Sequence, residues 1–277
     1  MSARTDELQV REPAVAGSFY PGSAKGLASS VDGMLADVRR ASDQWPTRRH
    51  PLRGIVVPHA GYPYSGPIAA TAYALLAAHG QRLRRIVIVG PSHFQPLQGW
   101  AVPTHRAWRT PLGEVVLDDS TRRIALDKGA VADDDPHRSE HSLEVQLPFI
   151  QRVCPGVPVL PIAVGQRPPR QAADLLSAIM TEDTMLVVST DLSHYHDADT
   201  ARRLDSRSAA VIVAFDHESL EPWDACGFDA LRASIAWAHS AALDIRLLDL
   251  RSSADTAGDP REVVGYGAFA IERSDTA

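Results

Sequence analysis

Three strand-like runs of this chain each end in a histidine: Ile55-Val56-Val57-Pro58-His59, Ile86-Val87-Ile88-Val89-Gly90-Pro91-Ser92-His93 and Leu186-Val187-Val188-Ser189-Thr190-Asp191-Leu192-Ser193-His194. Open α/β sheets bind ligands in the crevice beyond the carboxyl ends of their strands. Three imidazoles delivered to one such edge can share a metal or a substrate. Histidines and carboxylates with open positions suit non-haem iron, while zinc accepts His, Cys and carboxylate. Asp191 reads either as a third ligand or as a group that orients a histidine from behind. His194 reads as a general base near neutral pH. The plainer alternatives are that His59 caps the next helix, that Asp191 caps a turn, and that His194 and His196 are solvated.

Two further groups carry chemistry. Glu140, His141 and Glu144 lie at an expected helix start, and spacings of three and four place them on one face. A helix N-terminus also favours carboxylates for its dipole alone, which accounts for both glutamates equally well. Cys226 precedes Gly227 and an expected helix with Asp229 as its cap. A thiol there becomes a better ligand or nucleophile, although burial as a small apolar residue is the commoner fate of a free cysteine. Tyr62, Tyr64 and Tyr195 stand near the histidines and could line a recognition groove. Gly-x-Gly-x-x-Gly, P-loop, Cys-x-x-Cys and Gly-x-Ser-x-Gly patterns are missing from the sequence.

The elements that must position these residues alternate. Strands are expected at 54–58, 85–89, 157–164 and 184–190. Helices are expected at 26–40, from a Ser65 cap to 79, at 169–180, 200–215 and 228–241. Short antiparallel strands fit 99–103 and the turn around 111–114. Asp118 or Asp119 caps a helix to 128, the acidic stretch 133–136 forms a loop, and Pro148 kinks or delays a helix within 142–153. Two strands, at 243–250 and 263–271, close the chain. This order predicts an α/β fold with a mostly parallel or mixed central sheet flanked by helices. Residues 1–12 are expected to be frayed, and 13–273 to form a single domain.

Composition narrows the partners. The chain has 277 residues, 44% hydrophobic and 22% charged, an ordinary globular balance. Its net charge is -6, with 34 acidic and 28 basic residues and no basic block, which disfavours nucleic acid as a partner. Two cysteines make no disulfide framework. No run reaches the roughly 18 apolar residues of a spanning helix, and the first ten residues lack an apolar leader core. A cytoplasmic protein without a membrane partner is the expectation.

Together the segments Pro13–Pro21, Pro58–Gly66, Gly90–His93, Glu140–Pro148, Ser189–Tyr195, Cys226-Gly227 and Val264–Gly267 resemble the Memo family, which bacterial genomes label AmmeMemoRadiSam system protein B. They run in family order over nearly the whole chain. The resemblance implies a fold similar to class III extradiol dioxygenases, which use non-haem iron. It implies a divalent metal, iron with copper or zinc as alternatives, held by His59, His93 and Cys226. His194 and Asp191 then become the catalytic pair, and Tyr62, Tyr64, Tyr195, Glu144 and His141 the binding residues. The family's Cys-Gly is usually followed two residues later by proline, where this chain has Ala230. The function expected is that of a metal-dependent redox protein or oxidoreductase. The alternatives are an adaptor that binds metal, a peptide or a small molecule and is linked to a radical-SAM protein partner, and a metal-dependent hydrolase.

Overall fold

Strands buried on both faces cannot alternate apolar with polar residues, and the runs at 55–57, 86–89 and 185–188 do not. The computed structural model describes residues 10–41, 50–79 and 83–274. In chain order the elements are β1 (Val10–Arg11), α1 (Ala24–Ala41), β2 (Leu52–Val57), α2 (Tyr62–His79), β3 (Arg85–Pro91), β4 (Trp100–Val102), β5 (Ala107–Thr110), β6 (Gly113–Val116), α3 (Asp119–Asp127), β7 (Val131–Ala132) and α4 (Asp135–Arg138). There follow a 3₁₀ turn (Glu144–Gln146), α5 (Leu147–Val153), β8 (Val159–Val164), α6 (Pro169–Ile179), β9 (Thr184–Ser189), β10 (His194–His196), α7 (Ala198–Val213), α8 (Phe228–Ser240), β11 (Leu243–Ser252) and β12 (Val263–Arg273).

Among the described residues, nine strands form the main sheet, in the order β10-β12-β2-β9-β3-β8-β4-β7 with β11 paired to β12. Its centre is parallel: β2 with β9, β9 with β3, and β3 with β8. Both flanks are joined antiparallel, through β12 on β2 and β4 on β8. The α/β class with a mixed sheet is therefore as the sequence indicates. A separate three-stranded sheet joins β1, β5 and β6.

Period-2 geometry sends alternate side chains to opposite layers. Ile55, Val57, Ile86, Ile88, Met185 and Val187 pack with α1, α2 and α5. Val56, Val87, Val89, Leu186 and Val188 pack with α6, α7 and α8. Both faces are thus covered, and the free places for a ligand are the strand ends. β9 lies between β2 and β3 with Val57 opposite Ser189 and Val89 opposite Val188, so the three chains leave the sheet at nearly one level.

Local departures from expectation have local causes. Helix α2 begins at Tyr62, and Ser65 is inside it, its hydroxyl donating to the Ala60 carbonyl at 2.7 Å. Helix α3 is capped by Asp118 as expected, its carboxylate accepting from Thr121 N. The acidic stretch is not all loop: Pro136 opens the one-turn helix α4. Pro148 delays α5, and a 3₁₀ turn fills the gap. Helix α8 is capped at Gly227, with Asp229 in its first turn rather than at the cap.

The N-terminal expectation needs a correction. Residues 1–9 lie outside the described residues, but Val10 and Arg11 form a strand paired with Ala107 and Trp108. Arg11 is buried against the Trp108 ring and reaches the Glu144 carboxylate at 2.6 Å. An ion pair and a parallel bridge hold a segment that its polar composition marked as frayed. No described helix is long and apolar enough to cross a membrane.

Candidate metal centre

The exits of β2 and β3 carry His59 and His93, and the segment before the 3₁₀ turn brings His141 between them. The His93 and His141 rings stack at 4.7 Å and 18°, and both stand edge-on to His59, at 5.2 and 5.4 Å. One potential ligand atom from each lies within 4.8 Å of the others. A second set, His59, Asp191 and Cys226, meets the same spacing. His59 belongs to both. Of the expected trio of His59, His93 and Cys226, His93 falls in the first set with His141 and Cys226 in the second with Asp191.

Hydrogen bonds fix the tautomers. The single proton of the Ser189 hydroxyl goes to the Ser142 carbonyl at 2.6 Å, and Gln146 Nε2 donates to the same oxygen at 2.9 Å. Ser189 Oγ is then an acceptor toward His59 Nδ1 at 3.1 Å, so Nδ1 carries the proton. Nε2 keeps its lone pair, and the Cys226 thiol lies 3.1 Å from it as a donor. The Cys226 sulfur in turn accepts from the Asp191 backbone N–H at 3.3 Å.

His93 is set by Glu140. One carboxylate oxygen accepts from the ring Nδ1 at 2.9 Å, and the other accepts from the His93 backbone N–H at 2.6 Å. Burial alone would raise the Glu140 pKa; donation from His93 and from Ser142 N overcomes it and holds the group at about 2. It is a carboxylate at neutral pH, so His93 Nδ1 is protonated and Nε2 is free to bind. This carboxylate–histidine arrangement is the usual support behind a metal ligand. From sequence, Glu140 fits equally a shared face with His141 and simple helix-dipole stabilisation. Its direct adjacency to His141 is the sequence signal that favours the first.

His141 is pushed down to about 4 by burial and by the neighbouring His93, against the opposing pull of Glu140. Its Nδ1 lies 3.5 Å from Glu140 Oε1, and that buried atom has no hydrogen-bond partner among the described residues. Burial foremost, then His141 and His93, likewise lowers His59 well below the ordinary range. His59 and His141, both held below the ordinary range, keep lone pairs, and His93 stacks beside them, a donor set that fits a divalent transition ion.

Asp191 Oδ1 accepts from the His59 backbone N–H at 2.7 Å. Burial lifts it to about 7 against the donors of His59 and Ala60. Burial also raises the Cys226 thiol strongly, and the Asp191 charge adds to this. Helix α8 sits close enough to deliver Cys226 because residue 227 is glycine. A Cβ there would meet the Thr190 side chain at 2.7 Å and the Ser189 carbonyl at 2.9 Å.

His194 lies outside both ligand sets, but His93 and burial together lower its pKa, with burial the larger cause. It opens β10, whose pairing to β12 slips between His194 and His196. Tyr195 absorbs that irregularity with a φ of 62°, which swings it out to 73% exposure. Tyr64 is exposed at the start of α2.

Two expected binding residues are committed elsewhere. Tyr62 is buried, its ring packed between Tyr20 and Phe149 and its hydroxyl donating to the Val145 carbonyl at 2.8 Å. Glu144 is fully buried and accepts from Arg11, from Ala14 N and Val15 N and from the Tyr20 hydroxyl. It ties the N-terminal segment to the pocket wall and leaves no oxygen for a ligand.

A family model described as Memo-like protein matches residues 11–270. The chain belongs to the Memo family. A MEMO1 family protein of Methanopyrus kandleri is 35% identical to it over 281 residues, covering 95% of this chain and 99% of the relative. One of Thermotoga maritima is 34% identical over 276 residues, covering 92% and 97%. Among solved structures, an uncharacterized protein of Escherichia coli K12 superposes with a TM-score of 0.50 at 15% identity, covering 79% of this chain and 99% of that one. That likeness speaks for the fold alone. The Memo-family match spans every strand end that carries His59, His93, Asp191 and His194.

Proposed function

We propose that this Memo-family chain is a metal-dependent redox protein, an oxidoreductase that holds non-haem iron or copper at the strand-end pocket. The observation that carries this reading is the pair of fixed tautomers. Ser189 and Glu140 each accept a hydrogen bond from a ring Nδ1, and so leave Nε2 of His59 and His93 for a ligand. The third ligand is His141 or Cys226. A bound ion of this kind supplies Lewis acidity and one-electron chemistry to a small substrate beside it.

The protein's own contribution is positioning and proton handling. Ser189, Glu140 and Asp191 orient the ligands. His194, neutral and adjacent, accepts a proton from the substrate at its imidazole nitrogen. Phe94, 57% exposed and 6.0 Å from the His141 ring, and Tyr195 beside His194 give a substrate aromatic surface to rest on. The same exposed rings support a second reading, an adaptor that holds a peptide or small molecule and serves a radical-SAM partner.

Oxygen uptake by the iron-loaded protein over a panel of catechols separates the two. The oxidoreductase reading expects turnover with at least one catechol and a fall of about a hundredfold or more in His194→Gln, the range of general acid–base catalysis. No turnover across the panel, together with tight peptide binding, would leave the adaptor.

A further inference from the structure

We propose that the cleft between α7 and β11 binds a small zwitterion of the free amino-acid type, its ammonium on Asp205 and its carboxylate between Arg202 and Arg251. None of the residues that line this cleft belongs to the ligand sets around His59, and the inference is independent of the metal reading.

The cleft encloses about 270 Å³. That is room for roughly nine waters at about 30 Å³ each, the scale of a single amino acid and too little for a folded partner. Helix α7 supplies Arg202 and Asp205, whose spacing of three puts them on one face. Strand β11 supplies Leu250 and Arg251, and the 3₁₀ turn Ser253–Asp255 supplies Asp255. Two cations and two carboxylates leave the lining neutral. Such a lining fits a ligand with one charge of each sign better than a lone anion or cation.

Asp205 carries the argument. It is 2% exposed, and no cation among the described residues forms a salt bridge with it. Its donor is Ser193, whose backbone N–H reaches Oδ1 at 3.0 Å. Buried carboxylates are ordinarily paired with a cation. Burial raises the Asp205 pKa in spite of Ser193, so its charge is under-compensated. The fold nonetheless makes room for it. A Cβ at residue 265 would meet Asp205 Oδ2 at 1.9 Å, and that residue is glycine.

The other groups are disposed to match. Asp255 is committed to the N–H and hydroxyl of Ser252, which leaves Asp205 for an ammonium. Arg202 pairs only with Asp199, both at least 70% exposed, a contact weak enough for the guanidinium to turn to a ligand. Asp249 holds Arg251 through Nε and Nη2, which fixes the guanidinium plane and leaves Nη1 for a carboxylate. Leu250 offers the carbon skeleton an apolar wall.

Isothermal titration calorimetry of the full chain against the common amino acids tests this. At least one is expected to bind with a dissociation constant of about 1 mM or tighter. Its amide, which lacks the carboxylate, and its deaminated acid, which lacks the ammonium, should each bind about tenfold or more weakly. Arg202→Gln and Arg251→Gln should each lower the affinity by a similar factor, and Asp205→Asn by more, with circular dichroism unchanged. The two analogues put the same question to the wild type, so a misfolded Asp205→Asn does not rescue the idea. Binding of no amino acid would overturn the proposal. So would an amide or deaminated acid that binds as well as the parent, or an affinity that survives both arginine substitutions.

Discussion

At the scale of single residues, the pocket depends on groups that never touch a ligand. Glu140 shows this most clearly, because both its oxygens are spent on His93 and Ser142. Glu140→Gln keeps the shape but puts a donor where an acceptor is needed. Metal affinity in a chelator competition is expected to fall by about 10- to 100-fold, the usual loss when such a support is removed. An unchanged affinity would mean that Glu140 only fills space.

His137 makes a separate prediction about acid. It is fully buried on Trp108, and burial, with Arg11 adding to it, lowers its pKa to about 4. A depressed folded value means that the unfolded chain takes the proton first. Stability is therefore full above about pH 6.5, falls from there toward pH 4, and is level below. The contribution is on the order of 3 kcal/mol from this group. Denaturant titrations of metal-free protein from pH 7 to 4 should show a shallower acid loss in His137→Gln than in the wild type. Equal slopes would refute it.

At the scale of elements, the fold was the most legible part of the sequence. Unbroken apolar runs ending at His59, His93 and Asp191 read directly as doubly buried parallel strands. What was hidden is what brings distant pieces together. The 3₁₀ turn and α5 follow from Pro148, but nothing in spacing shows that His141 stacks on His93 from 48 residues away in sequence. Tyr62 and Glu144 looked like pocket residues because they neighbour pocket histidines, yet helical rotation turns both into the interior. Arg11 was unreadable for the same reason. Its partners, the His137 and Glu140 carbonyls and the Glu144 carboxylate, are all more than 120 residues away. By holding this segment it fixes the wall that carries Glu140 and His141. Arg11→Met should leave Glu144 buried without its cation and cost about 3–5 kcal/mol, read as a lowered denaturant midpoint. A loss below about 1 kcal/mol, the level of an exposed pair, would show that β1 is dispensable.

At the scale of the whole molecule, three adjacent strand ends and two outlying segments, 137–146 and 226–227, converge on one imidazole. The sequence located the strand-end histidines and placed Cys226 near them. It could not show that His141 joins His59 and His93, or that Asp191 joins His59 and Cys226, because both depend on contacts between segments distant in sequence. The central claim is that His59 anchors a metal. Elemental analysis of protein purified anaerobically, wild type beside His59→Ala, tests it most directly. Near-stoichiometric iron or copper in the wild type, falling to background in the variant while circular dichroism is unchanged, is the predicted result. Metal content that is equal in the two proteins, or absent from the wild type even after reconstitution, would contradict it.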